Sequence, residues 1–304
     1  VSRSGRSARS VRSARRGWAL SAPALAVVGL VTLVPIGFAV FLSLNEVSAR
    51  RGSVDFRWVG ADNYVDVLGS EAMRHALAFT TLYTVISVVI ELVIGLALAL
   101  VLDRMTVGRP AVLAMLLAPW AMVTVIAGHL WSYIFNGVYG IANHILIVLH
   151  LVQAPVSFLD TPARAFATLV VADAWKTVPF VALILLGGLR GIDRELYAAA
   201  RVDGAGPART LFRITLPLVK SALITAVVFR VLQAFGVFDL PFVLTGGGPG
   251  RFTQSVAMLA YTAMFQDLDL GAGAAISSVA ALLVLVVVIA FIRLFRFQVD
   301  PTER

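Results

Sequence analysis

Cysteine occurs nowhere in the chain, which removes disulfides, thiolate metal sites and cysteine nucleophiles from consideration. Histidine is nearly as scarce. His75, His129, His144 and His150 form no HExxH pair, and the six-residue step from His144 to His150 does not place both rings on one helical face. No metal site is expected. Charge is the third shortage: 14% of residues are charged against 59% hydrophobic, and the mean hydropathy is +0.90. So little polar surface does not cover a soluble globule of 304 residues. Two chemical signatures are missing as well. The glycine run TGGGPGRFT at Thr245–Thr253 lacks the GK[ST] ending of a phosphate loop, and no G-x-S-x-G elbow supports a membrane hydrolase.

What the chain does have is long apolar runs. A helix needs about 20 apolar residues to cross a bilayer core, and six segments qualify, at about 17–45, 75–102, 110–135, 165–189, 218–243 and 270–292. The expected fold is therefore all-α, a polytopic membrane protein with six transmembrane helices. The piece IANHILIVLHLV at Ile141–Val152 is too short to span and reads as an interfacial or re-entrant helix. The first apolar run exceeds the short core of a signal peptide, so it is expected to be retained.

Basic residues set the orientation, because Lys and Arg near span ends stay on the cytoplasmic side. With the N-terminus inside, 17 of the 25 Lys and Arg fall on the cytoplasmic side and six outside. Both termini are expected in the cytoplasm, and so is the loop 190–217. Residues 1–16, VSRSGRSARSVRSARR, read as a disordered basic tail beside anionic lipid rather than a nucleic-acid arm. Residues 17–304 read as one transmembrane domain.

The cytoplasmic loop carries dense local signals. Asp193 suits an N-cap for a helix through Glu195 and the alanine run, Gly204 suits its left-handed end, and Pro207 suits the first turn of a second helix. Pro217 then marks the start of span five. Leu211, Phe212 and Ile214 are available to project, and large apolar side chains in a compact loop fit a partner groove better than solvent.

This segment resembles the signature of permease subunits of binding-protein-dependent ABC importers: EAA, three residues, Gly, nine residues, Ile-x-Leu-Pro. The register here is Ala198-Ala199-Ala200, Gly204 and Ile214-Thr215-Leu216-Pro217, with alanine in place of the leading glutamate. WKTVPF at Trp175–Phe180, RVDGAG at Arg201–Gly206 and FDLPFVLTGGGP at Phe238–Pro249 are similar to sugar-importer permeases related to the maltose and glycerol-phosphate systems. The resemblance implies a multi-pass protein of the bacterial inner (plasma) membrane, with no catalytic residue of its own. It implies a second permease subunit, two ATPase subunits that hold ATP and Mg, and an extracellular solute-binding protein. It implies that Glu195, Ala198, Ala199, Gly204, Leu211, Phe212 and Pro217 contact or shape the ATPase coupling element. Either Glu195, one turn before Ala198, replaces the missing carboxylate, or the second permease subunit of a heterodimer carries the intact one.

Polar and aromatic groups within the spans mark a solute pathway, since charges at membrane depth face the bundle interior or water. Trp175, Lys176 and Phe180 in span four and Gln233, Phe235 and Asp239 in span five are the candidates. Asp173 and Lys176 are spaced to pair with each other. Arg230 is read as pairing with Glu91 or snorkelling; left uncompensated, it would suit a phosphate. A carbohydrate is the expected solute and a glycerol-phosphate compound the alternative. An ion-coupled secondary transporter using Glu91, Asp173 or Asp239 is the competitor of another class.

Overall fold

The structure is a computed structural model that describes the backbone of residues 4–50 and 53–296. Helix α1 (Ser4–Ser43) leads into an antiparallel hairpin of β1 (Asn45–Arg50) and β2 (Ser53–Trp58), paired Asn45 to Trp58 and Glu46 to Arg57. The hairpin lies outside the all-α expectation and is closed by the Glu46–Arg57 ion pair. Helix α1 also begins inside the basic segment that was expected to be disordered, with residues 1–3 outside the described residues. Arginine and alanine are good helix formers, and an apolar helix that is already nucleated extends through them at little cost.

After α2 (Asp62–Gly69), α3 (Glu71–Arg104) is started by the Ser70 side chain, which accepts from the Met73 amide at 3.1 Å. Span three is not one rod. α4 (Arg109–Ala121) and α5 (Thr124–Ile134) meet at 93°, corrected from the single helix expected over 110–135. Pro119 removes a backbone donor near the end of α4, and Met122 is extended, so the ladder stops there. The short apolar piece becomes α6 (Ile141–Val148), held by Asn143, whose amide group donates to Gly137 O at 3.1 Å and accepts from Val156 N at 2.8 Å.

Span four is the unbroken α7 (Pro162–Arg190). The cytoplasmic loop follows as α8 (Arg194–Val202), α9 (Pro207–Thr210), a π turn at Leu211–Thr215 and α10 (Leu216–Leu218). Span five is shorter than expected. α11 (Lys220–Phe235) stops at Gly236, and α12 (Asp239–Leu244) is a separate turn, while Pro207–Leu218 meets α11 at 71°. α13 (Val256–Tyr261), a second π turn (Thr262–Gln266) and α14 (Leu270–Arg296) complete the order. Among the described residues four helices are long and apolar enough to cross a membrane, and the two bent pairs bring the number to six.

The core is the packing of α3, α7 and α11. Ala99 and Leu102 meet Val181, Leu185, Leu189 and Ala226 in the cytoplasmic half, and Phe79 and Tyr83 meet Leu169, Ala234 and Leu240 in the outer half. Small residues bring these helices together, since lipid supplies no hydrophobic drive between them. A Cβ on Gly95 would lie 2.7 Å from Val181 Cγ1, and one on Gly188 would lie 2.6 Å from Ala222 Cβ. α1 packs along α14, and its described apolar side chains, from Leu25 to Phe41, are largely exposed, as suits a helix with lipid as its neighbour.

Candidate functional site

The cytoplasmic loop forms the helix-turn-helix that its residues promise. The Asp193 carboxylate accepts from Glu195 N at 3.0 Å, capping α8. Gly204 closes α8 with φ +73°, where a side chain would be strained, and Ala205 N returns to Ala200 O at 2.9 Å. Tyr197 Oη lies 3.2 Å from Thr215 Oγ1 and ties the two arms together. Between the arms lies an open groove of about 370 Å³, lined by Leu196, Ala199, Asp203, Arg209, Arg213 and Ile214 among others.

Phe212 is 66% exposed and Val202 88% exposed, whereas Leu211 and Ile214 are partly packed; of the three apolar side chains expected to project, Phe212 is the one that does. Glu195, Ala198, Ala199 and Pro217 are all exposed. The loop is also tied to span two. Arg194 lies 3.7 Å from Asp103 at the end of α3, and Arg109 donates to the Asp103 carbonyl at 2.9 Å.

Higher in the bundle, α3, α7 and α11 enclose a charge network. The Arg230 guanidinium, 2% exposed, grips Glu91 with Nε and, at 2.8 Å, with Nη2; Nη2 also reaches Asp173 Oδ2 at 3.0 Å. Thr177 Oγ1 donates to Glu91 Oε1 at 2.7 Å, and Arg230 Nη1 donates to Gln233 Oε1 at 2.9 Å. Asp173 and Thr177 share a face of α7 at i and i+4, and Gly95, one turn after Glu91, lets α3 close on α7 at this level. Of the two readings of Arg230, pairing with Glu91 holds. The expected Asp173–Lys176 pair gives way to Asp173–Arg230, because the fork of Arg230 reaches across the helix interface while Lys176 turns to the half-exposed side of α7.

The expected pathway residues fall on three helices, α7, α11 and α12. Trp175, Lys176 and Phe180 lie half-exposed on α7, and Gln233 is exposed on α11. Asp239 is exposed at the start of α12. Phe235 stands apart: it is buried and lines an apolar hollow of about 440 Å³ between α11 and α14. Residues that sequence reasoning missed complete the aromatic surface. Trp120, at the end of α4, stacks on Phe180 at 5.0 Å and 3°, Phe229 meets Phe180 edge-on at 6.1 Å, and Trp131 meets Trp175 at 5.7 Å. Their signal was weak, because an aromatic ring in an apolar run is indistinguishable from a lipid-facing one until its neighbours are known.

On the outer side the glycine run folds onto itself. Thr245 and Thr253 hydroxyls are 2.7 Å apart, and Thr253 Oγ1 donates to Gly248 O at 2.7 Å. Among the described residues no group of three or more His, Asp or Glu is placed to hold a metal ion.

The chain is 38% identical to the trehalose/maltose transport system permease protein MalF of Thermococcus litoralis, over 95% of this chain and 96% of that one. It is 38% identical to the trehalose transport system permease protein SugA of Mycobacterium tuberculosis, over 92% and 89% respectively. Its fold matches a chain in the crystal structure of a bacterial alginate ABC transporter in complex with alginate pentasaccharide-bound periplasmic protein, with TM-score 0.77 and 20% identity, covering 95% of this chain and 98% of that one. Residues 76–302 match the family described as binding-protein-dependent transport system inner membrane component. The chain belongs to that family, as a multi-pass permease subunit of an ABC importer in which ATP hydrolysis resides in separate ATPase subunits.

Proposed function

We propose that this permease forms part of the pathway for an uncharged di- or oligosaccharide. The observation that carries the reading is the fate of Arg230. An uncompensated guanidinium in the spans would suit a phosphate, and this one is buried between Glu91 and Asp173 with its fork committed. On α7, α11 and the neighbouring α4 and α12 are surfaces that suit a sugar. The rings of Trp175, Phe180, Trp120 and Phe229 offer flat apolar faces to a pyranose ring, and Gln233, Asp239 and Lys176 offer hydrogen bonds to hydroxyls. The trehalose and maltose relatives support the same solute class.

In this reading the chain sits in the bacterial plasma membrane with both termini inside, beside a second permease subunit. Two ATPase subunits hold ATP and Mg and receive the loop 193–217, with Phe212 seated in an ATPase cleft. An extracellular binding protein delivers the sugar from the other side. ATPase closure moves α8 and α9, which lead into α7 on one side and through the π turn and α10 into α11 on the other, so the pathway faces shift with the nucleotide cycle.

The test is thermal stabilisation of the cognate binding protein by trehalose, maltose and sn-glycerol 3-phosphate, followed by uptake of the stabilising solute into vesicles holding the full complex. A sugar should stabilise and be carried. Stabilisation by the phosphate alone would refute the carbohydrate reading.

A further inference from the structure

Gln233 is an exposed amide in a membrane span, one helical turn beyond a buried arginine. A primary amide facing hydrocarbon is costly, so its outward side belongs to an aqueous or protein surface. What it offers there depends on its orientation. An amide has one acceptor oxygen and two N–H donors, whereas a guanidinium only donates. The 2.9 Å contact from Arg230 Nη1 therefore takes the oxygen and leaves the amide NH2 facing out.

The arm that holds it is rigid. Nε and Nη2 of Arg230 are fixed by Glu91 and Asp173, and Glu91 is fixed in turn by Thr177. All three nitrogens of the fork are in use, two on carboxylates and one on Gln233. A lysine at the same place would gather its donors on one nitrogen, and so would not span the carboxylates and Gln233 as the three separate nitrogens of the fork do.

We propose that Arg230 is a positioning residue for solute recognition: it locks the Gln233 amide so that the pathway presents N–H donors to the oxygen atoms of the passing solute. The inference rests on the reading of Gln233 as a pathway residue. It also explains why the network holds an arginine, since charge pairing alone does not require a fork.

A double-mutant cycle tests it in the complete transporter, reconstituted with its binding protein, using labelled trehalose, maltose and sn-glycerol 3-phosphate and reading solute uptake per ATP hydrolysed. R230K and Q233L should each lower that ratio roughly three- to tenfold, the worth of one hydrogen bond. The double variant should fall no further than the worse single one, because both act through the same Gln233 donor. A ratio unchanged in R230K, or losses that multiply in the double variant, would overturn the proposal. The melting temperature of each assembled complex reports folding. If the R230K complex does not assemble, Q233E decides: it keeps an acceptor for Arg230 and removes the donor, so normal uptake overturns the inference and a comparable loss supports it. Transport of the phosphate with neither sugar would refute the carbohydrate reading, and the cycle run with that solute would still decide the role of Arg230.

Discussion

At the scale of single residues, the network around Arg230 sets the largest energetic stakes. Two carboxylates share one guanidinium in a site from which Arg230 and Glu91 expose almost nothing. Replacing Arg230 by methionine leaves Glu91 and Asp173 facing each other without a counter-charge. Breaking a buried pair in this way costs about 3–5 kcal/mol. Arg230→Met should therefore lower the melting temperature of the detergent-extracted complex far more than Glu91→Gln, which keeps a side chain for Thr177 and leaves the Arg230–Asp173 pair intact. Equal losses in the two variants would mean that the charges are not mutually compensating. The sequence allowed Arg230 to pair with Glu91, because both are charges within apolar runs. It did not show Asp173 as the second partner or Gln233 as the third. Those contacts join residues 57 positions apart and i, i+3 neighbours through one fork, and that depends on where α7 and α11 cross.

Elements move together only where their surfaces permit close approach, and Gly188 is such a place. Alanine there would bring its Cβ within 2.6 Å of Ala222 Cβ, so α7 and α11 must part. Gly188→Ala should destabilise the complex by about 1–3 kcal/mol, the usual cost of overpacking. Adding Ala222→Gly should restore the melting temperature; no rescue would place the strain elsewhere. The coupling loop makes a different demand. Gly204→Ala puts a side chain at φ +73° and should cost about 1 kcal/mol or more while shifting the angle between α8 and α9. Phe212→Asp should leave the melting temperature of this subunit nearly unchanged, because Phe212 is 66% exposed, yet abolish binding-protein-stimulated ATP hydrolysis. Stimulation at the native level would remove Phe212 from the docking surface. This loop was the most legible part of the chain. Its cap, left-handed glycine and first-turn proline act within a few residues of each other, so local chemistry decides them. The bends were not legible, since an apolar run keeps its composition whether the helix within it is straight or broken at 93°.

For the whole molecule, the lack of cysteine makes topology directly measurable, because every introduced thiol is the sole one. A cysteine at Val202 should react with a membrane-impermeant maleimide only after the cytoplasmic side is opened, and one at Val138 should react in intact cells. Both positions are about nine-tenths exposed, so access is decided by side rather than by burial. The opposite pattern would invert the orientation drawn from the arginines. Composition and order alone determined that this chain crosses a membrane several times, set an expected side for each loop, and placed a capped helix-turn-helix between spans four and five. Apolar length, positive charge and capping chemistry are properties of contiguous residues, and contiguous residues are what a sequence displays. Tertiary structure alone decided that Arg230 belongs to two carboxylates rather than to a solute, that Phe235 faces α14 rather than the aromatic surface, and that Trp120, Phe180 and Phe229 form one aromatic cluster from three helices. Which side of a helix faces a neighbour is settled by how helices cross, and the crossings are set by small residues and bends that all the spans must satisfy at once.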